Sequence, residues 1–289
     1  MLSFALTILL DGISYGMVLF IISVGLTVTM GLMRVINLAH GAFAMIGGYV
    51  AGYLTQHGFE FYLALVLATL VSGFLGGLCE MTVIRPLYRK GELAQVLLTI
   101  GIVFVVTALI TEIFGAFPYR VEFPTYLTQP VDIGFRTYPA YRLFLILVGG
   151  LIALILWLLI EGSLYGAKLR AAVDNAGMAR AVGMNVNLLF TATFIIGTAF
   201  AGLGGAIGSG ILSLEPSYAL KYVVLFLVVV IVGGEGSFKG SFVAAMALGI
   251  IDTTGKYFVA AAAPYLLYGA VFVLLLWRPQ GILPPKSLA

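Results

Sequence analysis

Three polar residues set three apart, Arg34, Asn37 and His40, enter an otherwise apolar stretch, MGLMRVINLAHG, at Met30–Gly41. On a helix that spacing puts a cation, an amide and an imidazole on one face. Polar groups in a low-dielectric surround either line a water-filled path or pair internally. The three are therefore candidate lining residues of a translocation path, and a plain corner between two helices, with His40 capping backbone carbonyls, is the competing reading. No Cys, Asp or second His stands at metal-ligand spacing from His40. Asp252 and Lys256 are four apart, so a helix would set them side by side as a neutralising pair. A proton relay through Asp252 is the other reading, which makes Asp252 a further path candidate. The segments GGEGSFKG and DTTGKY do not fit a phosphate loop. Gly255-Lys256 is followed by Tyr257, and the preceding glycine, Gly249, is one place too far back. No base and nucleophile stand within reach of each other, which argues against an enzyme.

The longest polar run on what is expected to be the inner side is EGSLYGAKLRAAVDNAGMARAVGMNVN, Glu161–Asn187. It predicts a short helix through Lys168–Val173 and a break at Asp174-Asn175. Asn175 then caps a second short helix over Ala176–Val182, and Gly183 stops it. Met178, Ala181 and Val182 form an apolar face, with Arg180 on another side. An exposed apolar and basic surface on a short helix suits docking into a groove on a soluble partner. A solvated loop without a partner accounts for it as well.

The elements that hold these residues follow from composition. Of 289 residues, 62% are hydrophobic and 9% charged, where soluble domains carry about 25% charge, and the mean hydropathy is +1.12. Lipid removes the need for a polar surface. The expected fold is an all-α polytopic membrane protein, one domain over 1–289, with about nine transmembrane helices of roughly 20 residues and broken or re-entrant segments at Met30–Gly41 and Gly233–Gly240. The first apolar run reads as a permanent span rather than a cleaved leader. Asp11, Glu80 and Glu112 are expected at the membrane interfaces. Arg85, Arg89 and Lys90, then Lys168, Arg170 and Arg180, then Arg278 and Lys286 fall on one side, which the positive-inside rule makes cytoplasmic. That puts the N-terminus outside and the C-terminus inside, with an outer loop over about 116–141 rich in Pro and Tyr. The net charge of +3 is not gathered into a stripe, so nucleic acid is not an expected partner. Cys79 lies in an apolar run and reads as a small buried residue. Glycine pairs four apart, Gly12 and Gly16, Gly48 and Gly52, Gly73 and Gly77, Gly204 and Gly208, predict close helix packing within the bundle rather than a dimer face.

Four blocks together carry a resemblance. MRVINLAHGAFAMIGGY is similar to the early signature of the branched-chain amino acid ABC importer permeases (LivH type). RAAVDNAGMARAVGMNVN and the AGLGGAIG that ends the next span resemble that family's inner segment and following helix. VVVIVGGEGSFKGSFVAA resembles its late glycine-rich turn, and WRPQGIL its C-terminal close. The resemblance spans nearly the whole chain. It implies a permease subunit of the bacterial inner membrane, with no ATPase site and no cofactor of its own. Its implied partners are a second homologous permease, two ATP-binding subunits that use the ATP, and a periplasmic substrate-binding protein. Carried over by position, Lys168–Asn185 is the segment that couples to the ATPases, with Lys168, Arg170, Asp174, Asn175, Met178, Arg180, Gly183 and Asn185 as its candidate residues. The importer coupling pattern E-A-A-x-x-x-G is not clean: Arg170 replaces the Glu, and Gly177 is one residue late. Glu235 and Lys239 stand in the late turn where apolar or aromatic residues are expected. Related permeases carry urea, amides, aromatic acids or other amino acids. An ion-coupled transporter using Asp252 or Glu112 is the alternative outside the family.

Overall fold

The computed structural model describes residues 2–31, 37–88, 90–134 and 136–283. Arg34, Arg89 and Lys286 lie outside the described residues. The long apolar runs fold as helices because a bilayer offers backbone N–H and C=O groups no partner beyond their own segment. In chain order these are α1 (Leu2–Gly31), α2 (His40–Gln56), α3 (Phe61–Cys79), α4 (Glu92–Phe114), the short α5 (Thr125–Thr128), α6 (Ala140–Ile160), α7 (Leu164–Asp174), α8 (Ala176–Ala181), α9 (Val186–Gly208), α10 (Tyr218–Gly233), α11 (Phe238–Phe258) and α12 (Ala263–Trp277). Two short strands, β1 (Pro130–Asp132) and β2 (Thr137–Pro139), pair antiparallel with Val131 opposite Tyr138. With α5 they form a cap between α4 and α6.

Six helices among the described residues are long and apolar enough to cross a membrane: Ser3–Met30, Phe61–Leu87, Glu92–Phe114, Ala140–Ile160, Val186–Gly208 and Ala260–Trp277. The protein is thus an α-helical, multi-pass membrane protein, with the β1–β2 pair as its described strands. The expected count of nine is not reached by this measure. α2 and α10 have only 17 and 16 residues, and α11 carries Lys239, Asp252 and Lys256. Two boundaries differ from the sequence reading. α1 begins well before Gly12, so Asp11 sits inside the helix. α3 continues past Cys79 as a π-helical turn, Glu80–Ile84, and a 3-10 turn, Arg85–Leu87.

α9 is the hub, packed on α1, α2 and α3, while α1 also runs along α11. Glycines allow these approaches. A Cβ on Gly47 would run into the backbone of Gly202, and one on Gly25 into that of Gly197. All four spaced pairs face neighbours inside the bundle, as expected: Gly12 and Gly16 meet α11, Gly48 meets Leu214 and Gly52 Tyr119, Gly73 and Gly77 meet Ile195, and Gly204 and Gly208 meet Ile22 and Val18. α4, α6 and α12 turn large apolar side chains such as Phe104, Leu147 and Phe272 outward. The bundle has two ends. The loop end carries the 115–139 segment, the first turns of α1 and α6 and the last turns of α2 and α11. The hairpin end carries α7 and α8, the last turns of α3 and α6 and the first turns of α9 and α11.

Candidate functional site

The hairpin end matches the local expectations closely. Ser163 caps α7, which therefore starts earlier than expected, at Leu164. The Asn175 side chain accepts from Met178 N at 2.9 Å and opens α8. Gly183 follows with φ +86°, the left-handed conformation that glycine adopts without strain. Asn185 then caps α9, accepting from Leu188 N at 3.0 Å. Ala179 packs inward with Ala172 and Val186, while Met178 and Val182 are 63% and 69% exposed. Lys168, Asp174, Arg180 and Ala181 are exposed as well. Arg170 behaves differently: its Nη1 donates to Ile160 O at 2.8 Å, tying α7 to the last turn of α6. A groove of about 580 Å³ beside α8 is lined by Tyr165, Lys168, Val182, Met184, Asn185 and Leu188, among others.

Directly behind this hairpin lies a buried network that the sequence reading missed. Glu80, expected at an interface, is fully buried. Its carboxylate accepts from Arg85 Nε at 3.0 Å and Nη2 at 2.7 Å, from Tyr88 OH at 2.8 Å and from Thr191 Oγ1 at 2.9 Å. Arg85 also donates to Thr191. Thr191 is in the second turn of α9, the helix into which α8 leads. The burial is tolerable because a paired, fully hydrogen-bonded carboxylate has its lost hydration replaced. The sequence carries Glu80 and Arg85 five apart, which is no helical pairing. Only the π turn brings them together.

The late glycine-rich turn sits at the same end. Gly234 and Gly236 take φ of +100° and +80°, and the Ser237 hydroxyl accepts from Gly240 N at 3.1 Å to start α11. The C-terminal block docks on it, with Ile282 N donating to Val232 O at 2.8 Å. The unexpected charges there find simple places. Lys239 pairs with Glu161 at 2.8 Å, and Glu235 is exposed.

Among the path candidates, Asn37 and His40 are neighbours and both fully buried. His40 Nε2 contacts Ile22 O at 2.6 Å, so the capping reading describes that nitrogen. His40 Nδ1 and both side-chain amide atoms of Asn37 find no hydrogen-bond partner among the described residues. Asp252 is not with them. It ion-pairs with Lys256, and nearby Gly249 packs against Gly12 and Gly16. That level is about 15 Å from Ile22 along α1 at ~1.5 Å per residue. Asp11 was expected at an interface and is instead buried at the loop end. It is paired with Arg142 and accepts from Tyr138 OH at 2.6 Å and Tyr257 OH at 2.7 Å. Burial, and then this bond to Asp11, hold the Tyr138 hydroxyl well above the usual phenol range. Glu112 is exposed.

Comparisons with known proteins agree with the four sequence blocks. The chain is 26% identical to the high-affinity branched-chain amino acid transport system permease protein BraD of Pseudomonas aeruginosa, over 95% of this chain and 94% of that one. It is 25% identical to the probable branched-chain amino acid transport permease protein LivH of Methanocaldococcus jannaschii, over 97% and 91%. It is 28% identical to the permease protein LivM of Salmonella typhimurium, over 93% of this chain and 68% of that one. The solved PsaBC from Streptococcus pneumoniae in complex with Fab shares the fold, with a TM-score of 0.50 at 15% identity over 97% of this chain and 91% of that one. A family model described as branched-chain amino acid transport system / permease component matches residues 8–276, and the chain belongs to that family.

Proposed function

We propose that this chain is the membrane-spanning permease subunit of an ATP-driven importer for branched-chain or related amino acids, and that α7–α8 receives force from separate ATPase subunits. The observation that carries this reading is the capped, solvent-facing hairpin: α8 shows Met178, Arg180 and Val182 outward and leads through Asn185 into the hub helix α9. A six-residue helix has little stability alone, so its order comes from the Asn175 cap and the Ala179 contact. Movement pressed onto it passes into α9, and the Glu80–Arg85–Thr191 network hands it on to α3.

The hairpin end would be cytoplasmic, because Arg85, Lys168, Arg170, Arg180 and Arg278 gather there. Nine crossings would then alternate, with the N-terminus outside. Its partners would be a second related permease, two ATP-binding subunits and a periplasmic substrate-binding protein, so the chain itself performs no catalysis. The cargo could equally be urea, an amide or an aromatic acid, since the binding protein selects it. The ion-coupled alternative draws no support from Asp252, which is ion-paired.

The test is uptake in proteoliposomes that hold the full assembly. Arg180→Glu is expected to lower ATP-dependent uptake by at least about tenfold, as like-charge repulsion at a docking surface costs several kcal/mol, with helicity and assembly of the bundle unchanged. Undiminished uptake by that variant, or full uptake without ATPase subunits, would overturn the reading.

A further inference from the structure

At the loop end a cavity of about 210 Å³ opens between α1, α6 and α11. Its walls are Tyr15, Ile211 and Thr253, with the charged side chains of Asp11, Arg142 and Lys256. The charges are arranged unequally. Both carboxylates are set back: Asp11 is 6% exposed and already accepts from two tyrosines as well as pairing with Arg142, and Asp252, also 6% exposed, sits behind Lys256 as its ion partner. The cations stand forward, with the side chains of Arg142 and Lys256 35% and 57% exposed.

An ammonium has three N–H donors and a guanidinium five. Lys256 gives one direction to Asp252 and turns a face to the Tyr15 ring, 4.9 Å from its centroid, which leaves donor capacity over. Arg142 meets both Asp11 and the Tyr138 hydroxyl, and its guanidinium has five N–H donors in all. Two cations from different helices thus line one cavity, each paired with a carboxylate less exposed than itself. Each cation is neutralised by its own carboxylate, so an anion entering the cavity would be held by the N–H donors that these pairs leave over, through charge-assisted hydrogen bonds. At ~30 Å³ per water the space holds about seven waters, or one small solute with a short apolar part against Tyr15 and Ile211.

We propose that this cavity binds the carboxylate of the small solute the protein moves, between Lys256 and Arg142, before the solute enters the bundle. The proposal rests on the importer reading for the direction of travel and on its amino-acid cargo for the carboxylate. It makes Lys256 and Arg142 substrate-binding residues at the loop end, distinct from the buried pair Asn37 and His40.

Saturation-transfer NMR on the full permease–ATPase assembly without binding protein tests it with three probes of one shape: L-leucine, 4-methylpentanoate, which lacks the amine, and 3-methylbutylamine, which lacks the carboxylate. L-leucine and 4-methylpentanoate are expected to give signal and the amine none. The double variant Asp252→Asn with Lys256→Met removes both charges, so no buried carboxylate is left unpaired. It should cut the signal by about tenfold, the usual loss for a hydrogen bond to a charged group. Ile211→Trp, which fills the cavity and leaves every charged residue in place, should abolish it. If the double variant fails to fold by circular dichroism, the probe comparison and Ile211→Trp decide alone. Signal from the amine equal to that from the acids, no signal from any probe, or signal unchanged by Ile211→Trp overturns the proposal. Weakened capture of the binding protein by the double variant, with no signal from the acids, also overturns it and assigns the cavity to a carboxylate of that protein. Carboxylate-selective signal together with uptake that persists without ATPase subunits would sink the importer reading alone.

Discussion

Glu80 shows what a single carboxylate can organise once it is buried. It gathers Arg85 and Tyr88 from the turns that follow it and Thr191 from α9, so one side chain ties the end of α3 to α9. Removing one partner of a buried pair costs more than the pair contributes, because the other is left without its counter-charge. Arg85 is 32% exposed, so water recovers part of that cost. Glu80→Ala is therefore expected to lower stability by about 1–3 kcal/mol in mixed-micelle unfolding, below the value for a sealed pair. Glu80→Gln, which keeps acceptor and shape, should lose less. Equal losses from both would mean that charge plays no part. Asn175 works by simpler means. Its side chain supplies the first acceptor of α8, and that role was legible because the asparagine precedes a short apolar run closed by Gly183.

At the scale of elements, two of the crossings of α9 run backbone against backbone. Gly47 faces Gly202, and Gly25 faces Gly197, so these crossings tolerate no side chain. Gly47→Ala should push α2 off α9 and lower the melting temperature of the purified protein, with an expected cost of about 1–3 kcal/mol for overpacking. Gly101 in α4 is the control. It is helical and a Cβ there meets nothing within 4 Å, so Gly101→Ala should leave stability unchanged or raise it by up to about 1 kcal/mol through helix propensity. Similar losses at both positions would reject the packing argument. The four glycine pairs were visible in the sequence, but their partners on other helices were not.

For the whole molecule, the division into a loop end and a hairpin end sets the orientation question. In the proposed orientation Met178 faces the cytoplasm and Thr128, exposed beside β1, faces outward. With Cys79 replaced by Ser, a membrane-impermeant maleimide added to intact cells should label Thr128→Cys, and should label Met178→Cys only after lysis. The reverse pattern would invert the orientation and remove the cytoplasmic role of α7–α8. The same two-ended arrangement separates Asn37 and His40, deep in the bundle, from Asp252 at the loop end. The path candidates are therefore successive levels rather than one site.

Apolar runs of span length, the caps at Asn175 and Asn185, the stop at Gly183 and the four family blocks are local signals. Each depends on residues a few places apart, so the sequence by itself determined the helical membrane fold, the two short helices of the hairpin and the family. The surroundings of Asp11 and Glu80 were decided only by tertiary structure. Read alone, a charge inside an apolar run marks a span boundary, because burying it unpaired is prohibitive. Partners from 5 to 246 positions away remove that penalty, and nothing in the neighbouring residues records that they will arrive.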